Sequence, residues 1–281
     1  MMKQGAKVRK NDCSDYFLLV CFAMLVIVTV FPLFWMLVTS FKTQVEIMQI
    51  PTTIFPRTWF FGSYHKIFHD QFFPRYFLNT CITSTIITCV AVTVSALIGY
   101  VFAKFNFPFK TLCFYAILAT IMVPSESFVV PLYDIVRKLH GVNTYFGLVF
   151  PSIISSFGMF FMKQNMEQIP DALVEAAKID GAGNWYILGK IILPLSQSAL
   201  SVLAILLFLI AWSDYFWPLI IVSKKEMYVL EIGLTLLQDE YITDYSVIMA
   251  GCAVALLPCF VLFLIFRRNI MEGIAMSGIK G

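Results

Sequence analysis

The chain has 281 residues, of which 59% are hydrophobic and 13% charged, about half the charged share of an average soluble domain. That excludes an ordinary water-soluble globular protein, and a net charge of only +3, with no dense basic cluster, excludes nucleic acid as a partner. Six cysteines in or beside apolar runs (Cys21, Cys81, Cys89, Cys113, Cys252 and Cys259) read as small hydrophobes rather than a disulfide framework.

The predicted elements are charge-free runs long enough to cross a hydrocarbon core of about 30 Å. The expected fold class is an all-α membrane protein, one domain over residues 1–281 with six transmembrane helices at about 16–41, 76–103, 111–132, 141–162, 191–222 and 245–266. The first run is too long for a signal-peptide core and lacks a small-residue cleavage signal, so it reads as a retained helix. The loop after it, Thr43 to Arg75, carries His65 and His69 four apart beside Asp70. This spacing fits a metal on one helix face, but a solvated amphipathic segment is the stronger reading, and no metal is expected. The third run meets Pro124 and Glu126 early; its helix either continues past the carboxylate toward Leu132 or breaks there. Six spans place both termini on one side. Twelve of the twenty Lys and Arg residues fall on that side, which makes both termini cytoplasmic.

The loop between spans four and five, residues 167–190, is then cytoplasmic as well. Ile169 and Pro170 open it, and proline suits the first helical position because its missing N–H has no partner there. Leu173, Ala176, Ala177 and Asp180 share a helix face, and the two alanines let another surface approach closely. Gly181 ends the helix as a left-handed cap, and Asn184 caps a second helix. Trp185, Leu188 and Ile192 carry that helix toward the membrane, and Pro194 marks the junction with span five. The loop is thus a helix-turn-helix. By their chemistry alone, its residues fit either an amphipathic connector on the lipid surface or a docking element for another chain.

Glu175, Ala176, Ala177, Gly181, Ile191, Leu193 and Pro194 follow the spacing of the EAA motif, and the chain resembles the membrane subunits of bacterial ABC importers. The fragments "YFLNT" at 76–80, "GYVFAKFNFP" at 99–108, "AWSDYFWPLI" at 211–220 and the terminal "EGIAMSGIKG" extend the resemblance over nearly the whole chain. They place it nearest the carbohydrate-uptake branch, similar to the smaller maltose-type permease subunit. The resemblance implies a permease domain in the bacterial plasma membrane, with loop 167–190 as a coupling helix. Its implied partners are two ATPase subunits, a second homologous permease subunit, an extracytoplasmic substrate-binding protein and the lipid bilayer. It assigns Glu175, Ala176, Ala177, Asp180, Gly181, Leu193 and Pro194 to ATPase coupling, and gives the tail Gly278, Ile279, Lys280 and Gly281 a contact with the ATPase. No cofactor is expected on this chain. ATP and Mg belong to the partner, because the nearest thing to a phosphate loop, Gly183 to Lys190, has one residue too many and is followed by Ile191.

Asp214 lies within the fifth run among Trp212, Tyr215, Phe216 and Trp217. A carboxylate at membrane depth among rings marks a substrate pathway that could hold a sugar; the same residues near the outer interface form an aromatic belt. The expected substrate is a sugar or oligosaccharide. A glycerol phosphate ester is the alternative, disfavoured because the uninterrupted spans carry no Lys or Arg. Neither histidine nor a pair of carboxylates occurs in any span, which argues against an intramembrane enzyme. A secondary transporter would leave the EAA match unexplained and should show an internal repeat.

Overall fold

The computed structural model describes residues 13–238 and 244–278, with side chains over 16–238 and 244–267, and every regular element among them is helical. The chain divides into two compact units. One is built from the described residues of Met1–Ile67 and Asp239–Val254, the other from those of Phe68–Gln238 and Ala255–Gly281.

The first unit begins with α1 (Cys13–Thr39), whose residues 16–33 are all exposed although almost all are apolar. A helix apolar on every face is suited to lipid rather than water. Past its end, α2 (Gln44–Ile47) is capped by Thr43, which accepts the Glu46 N–H. The charges here point inward. Lys42 and Glu46 are both buried; the Lys42 ammonium donates to the Thr53 carbonyl, and Glu46 Oε1 accepts from Thr53 Oγ1 at 2.8 Å and from the Arg57 N–H at 2.9 Å. α3 (Gly62–His69) contributes Ser63, 2.5 Å from Ser246 Oγ, and Lys66, whose ammonium lies 2.9 Å from Asp244.

The second unit is organised on α4 (Phe73–Lys104), a continuous helix of 32 residues. After it, α5 (Lys110–Ile121) ends at a 98° bend and a 3₁₀ turn, Ser125–Phe128, leads into α6 (Val129–Lys138). The helix expected over 111–132 therefore breaks. Pro124 supplies no N–H, and its ring disfavours the helical region for Val123. Glu126 sits exposed in the turn, accepting from Ser125 Oγ. The expected fourth span is likewise two pieces, α7 (Tyr145–Val149), extended by a 3₁₀ turn, and α8 (Ser156–Glu167), bent by 46°. Then follow α9 (Asp171–Ile179), α10 (Asn184–Ile187), α11 (Leu193–Leu195), α12 (Gln197–Trp212), α13 (Phe216–Ile221), α14 (Leu230–Leu236) and α15 (Tyr245–Gly278), whose first turns belong to the first unit. Tyr16–Thr39, Phe73–Lys104 and Tyr245–Arg267 are each long and apolar enough to cross a membrane, and three further helix pairs are so only when each bent pair counts as one span.

Small residues let α4 and α8 close on one another. A Cβ added at Gly99 would lie 2.7 Å from Met162 Cβ, and one at Gly158 would collide with Ser95 Oγ. Around this seam Ala91, Tyr100, Met162, Met166, Ile192 and Leu203 form the larger apolar core. A second core gathers Val136, Leu148, Trp217, Ile221 and Ile232. Beside it Gly147 lets two backbone segments touch, because a Cβ there would strike the Gly141 carbonyl oxygen, a backbone atom that cannot swing aside. Gly147→Ala is expected to cost about 3 kcal/mol, the upper end of overpacking penalties, read as a lower midpoint of thermal unfolding in detergent.

Near the Phe73 end of α4, Asn79 is fully buried. Its Nδ2 donates to the carbonyls of Glu226 and Tyr228 at 2.9 and 2.8 Å, and its Oδ1 accepts from Tyr145 Oη at 2.6 Å. The neighbouring Thr80 Oγ1 accepts the Leu230 N–H at 2.7 Å. These two side chains stitch segment 226–230 to the helix.

Candidate functional site

Of the expected coupling residues, Glu175, Ala176, Asp180 and Gly181 are exposed on the second unit, whereas Ala177, expected on the same face as Ala176, and Leu193 pack half-buried against the core. Helix α9 starts at Asp171, with Pro170 one place earlier than a first helical residue, at φ −57° and ψ 130°. It attaches through Val174, which is buried, and Ala177, which is half-buried; both pack in the larger core with Ile169, Ile187 and Leu188. Glu175, Ala176 and Asp180 face outward with Leu173.

The helix ends in a Schellman turn. The Ala182 N–H donates to the Ala177 carbonyl at 2.9 Å and the Gly181 N–H to the Lys178 carbonyl at 3.0 Å, with Gly181 at φ +82°. No atom lies within 4 Å of where its Cβ would be, so glycine is required here by backbone conformation and not by space. The next helix begins one residue earlier than a capping Asn184 would place it. Gly183 holds the cap position, and Asn184 is the first helical residue. Leu188 and Ile192 are buried as expected of a helix returning to the core, but Trp185 is 78% exposed. Before α11 the helix widens into a π-turn, Leu188–Ile192. Pro194, at the start of α11, has no N–H for the carbonyl four residues back and its ring crowds that carbonyl, which accounts for the widening. Leu193 is half-buried and Pro194 exposed, and the pieces on either side of Ser196 meet at 79°.

Two apolar side chains at this site escape notice in the sequence: Ile179 is 86% exposed, and Tyr186 stands out from the turn beside Trp185. The signal for Ile179 was the helical spacing from Val174, which turns it away from the core. Together with Asp180, Gly181 and Lys190, Tyr186 lines an open concavity of about 580 Å³. A third, Lys104, ends α4 with its side chain only 3% exposed. Its ammonium lies 2.6 Å from the Ile169 carbonyl and 2.6 Å from Asp171 Oδ1, joining α4 to the start of α9. The hydrogen bond from Lys104 and the attraction of its charge hold the Asp171 carboxyl below its ordinary value.

Residues 212–217 are placed elsewhere in the unit. Trp212 is buried, with Nε1 donating to the Ala255 carbonyl at 3.2 Å, and Trp217 is buried, with Nε1 donating to the Gly147 carbonyl at 2.9 Å. Between α12 and α13, Asp214 Oδ1 accepts the Trp217 N–H at 3.4 Å, an orphan donor of the short helix that follows. Tyr215 and Phe216 are the exposed rings of the segment. Of the expected tail contact, Gly278 is the last helical residue, and Ile279, Lys280 and Gly281 lie outside the described residues.

Residues 95–275 match the family described as binding-protein-dependent transport system inner membrane component. The chain is 31% identical over 278 residues to the arabinooligosaccharides transport system permease protein AraQ of Halalkalibacterium halodurans, covering 98% of this chain and 100% of that one. It is 30% identical to the sn-glycerol-3-phosphate transport system permease protein UgpE of Escherichia coli, covering 89% and 92%. The fold superposes with a TM-score of 0.83 on a chain from the crystal structure of a bacterial ABC transporter involved in the import of the acidic polysaccharide alginate, at 18% identity over 95% of this chain and 100% of that one. An all-helical chain rich in apolar helices, related at this identity over nearly its full length, belongs to the inner-membrane components of binding-protein-dependent transport systems.

Proposed function

We propose that this permease subunit forms part of the translocation pathway for a sugar or oligosaccharide and couples it to a separate ATPase through residues 167–190. As a family member the chain is a transport component of a multi-pass membrane protein class and not an enzyme. The reading includes six spans, counting each bent pair as one, with both termini in the cytoplasm of a bacterium. Two ATPase subunits carry ATP and Mg. A second permease subunit completes the pathway, and an extracytoplasmic binding protein delivers the solute.

One observation carries the coupling role: a short helix fixed to the core by Val174 and Ala177 presents Glu175, Ala176, Asp180 and the apolar Ile179 outward, beside a turn set by Gly181. A rigid helix with an exposed face of mixed charge and apolar groups is suited to transmit a partner's closure to the helices behind it. Leu193 and Pro194 belong to the same lever, at its bend into α12. The tail contact of Gly278 to Gly281 rests on the family resemblance.

The arabinooligosaccharide relative favours a sugar, and the glycerol-3-phosphate relative keeps the phosphoester as the alternative. An anion would need free cations along its path. Lys104, ending α4, and Lys163, within α8, are already paired with Asp171 and Glu167, which supports the neutral solute. In the pathway, Asp214 with the exposed Tyr215 and Phe216 is the candidate contact, while Trp212 and Trp217 hold the helix break behind it.

The test is to purify the tagged chain from its native membrane in mild detergent and identify co-purifying chains by mass spectrometry. An ATPase subunit is expected with the parent and not with a folded Glu175→Lys, Gly181→Pro double variant. Recovery of no ATPase even after cross-linking would sink the coupling role.

A further inference from the structure

We propose that residues 44–61 form a lipid-embedded foot, seated at the boundary of headgroups and acyl chains beside the Thr39 end of α1. Apart from Arg57, whose exposed guanidinium suits the headgroup level, the segment has inverted polarity. Val45, Met48, Ile50, Phe55, Trp59 and Phe61 are all exposed, Ile50 at 92%, whereas Lys42 and Glu46 are buried. So many large apolar side chains exposed in one short segment mark a binding face rather than a solvated loop.

The geometry supplies the occupant. The Phe60 N–H donates to the Phe41 carbonyl at 2.9 Å and the Trp59 ring packs on Phe41, closing the segment onto the end of α1. Between those ends it turns back along the helix, because the Phe55 ring meets the edge of Phe34 with centroids 5.9 Å apart. Phe34 precedes Phe41 by seven residues, about 10 Å along a helix axis. The tip of the segment therefore lies level with the part of α1 where Phe31 and Leu33 are exposed and where every described side chain from 16 to 33 is open. Its apolar surface continues that of the span, so the same hydrocarbon covers both.

Irregular backbone at such a level needs its polar groups met from within. Lys42 meets the Thr53 carbonyl, and Glu46 meets the Arg57 N–H and the Thr53 hydroxyl. The two buried charges thus satisfy one carbonyl and one amide of the segment from within, and at the headgroup boundary the other backbone groups remain within reach of headgroups and interfacial water. Trp59 and the phenylalanines are residue types that settle at membrane interfaces. The inference requires α1 to be a membrane span and does not depend on the coupling role of residues 167–190.

The test uses the full chain with its co-purifying partners, in a cysteine-depleted background, carrying a nitroxide label at Val45→Cys or Ile50→Cys. The protein is reconstituted in phosphatidylethanolamine–phosphatidylglycerol vesicles, with Val28→Cys on α1 as the lipid reference. Collision with oxygen, which concentrates in acyl chains, is expected to exceed collision with a water-soluble nickel chelate at both sites, by a smaller ratio than at the mid-span reference. A nickel-dominated profile would place the segment in water and overturn the proposal. Immobile labels shielded from both quenchers would overturn it in favour of a protein partner. Loss of Trp59 quenching by brominated lipid in a Trp59→Phe variant, relative to the parent, is the expected result in a chain without labels; unchanged quenching would count against the foot.

Discussion

Replacing Lys104 by Met is expected to loosen the start of α9 and reduce solute moved per ATP hydrolysed, while leaving the core of α4, α8 and α12 intact. The ammonium is buried and serves two acceptors, the Ile169 carbonyl and Asp171. Asp171 is 75% exposed on its side chain and will rehydrate when its partner is lost, so that half of the contact is worth little. The Ile169 carbonyl is the costly half. Ile169 is only 9% exposed, and losing a charge-assisted hydrogen bond there costs about 2 kcal/mol. That corresponds to a fall of up to about 30-fold in the ratio of docked to loosened α9.

The ordering of variants is the sharper test. Asp171→Asn keeps the bond to Ile169 and should change amide exchange over 169–180 little; Lys104→Met should raise it strongly; Lys104→Arg should fall between. Equal effects from Asp171→Asn and Lys104→Met would show that the ion pair, and not the carbonyl, holds the helix. The sign of the pH dependence follows from Asp171. Its folded value lies below the ordinary 3.8, so its contribution is complete above that value and is lost as pH falls through the lower, folded one. The difference between parent and Lys104→Met should therefore be flat from about pH 5 to 8.

Asn79→Leu, which keeps the volume and removes the amide, is expected to destabilise the protein by about 3 kcal/mol. Three groups lose a partner. The Glu226 carbonyl retains the Arg75 Nε donor at 2.9 Å, which leaves the Tyr228 carbonyl and the Tyr145 hydroxyl as the uncompensated pair, each costing about 1–2 kcal/mol. Asn79→Asp should be at least as damaging, because a carboxylate would face the two carbonyls that the amide nitrogen now serves. Tyr145→Phe removes one bond and should cost about 1 kcal/mol. Thermal midpoints in detergent and amide exchange over 226–230 report the effect; an Asn79→Leu variant with the parent's midpoint would mean that other contacts hold the segment.

The loop at residues 167–190 was legible in sequence because turn chemistry is local. Gly181 ends α9 where a left-handed residue is needed, and Pro194 disturbs the helix that reaches it. Helix breaks were less legible. Pro124 announced one, yet the 79° bend at Ser196 and the interruption at Ser213–Tyr215 depend on how α12 and α13 pack against α4 and α7. Trp212 and Trp217 show the consequence. Aromatic content near Asp214 was plain, but which rings are consumed by packing and which stay open was set by carbonyls at Ala255 and Gly147, far along the chain.

By itself the sequence determined the membrane class, the family and the local shape of residues 167–190, because hydropathy and turn preference are properties of short stretches of chain. The tertiary structure alone decided which polar groups are hidden and what they serve. Lys42 and Glu46 are buried only because the chain turns back along α1, and Lys104 finds its acceptors only when Ile169 and Asp171 are brought to the end of α4. A buried charge or amide is fixed by partners brought together only when the chain folds, and no local free energy records who those partners are.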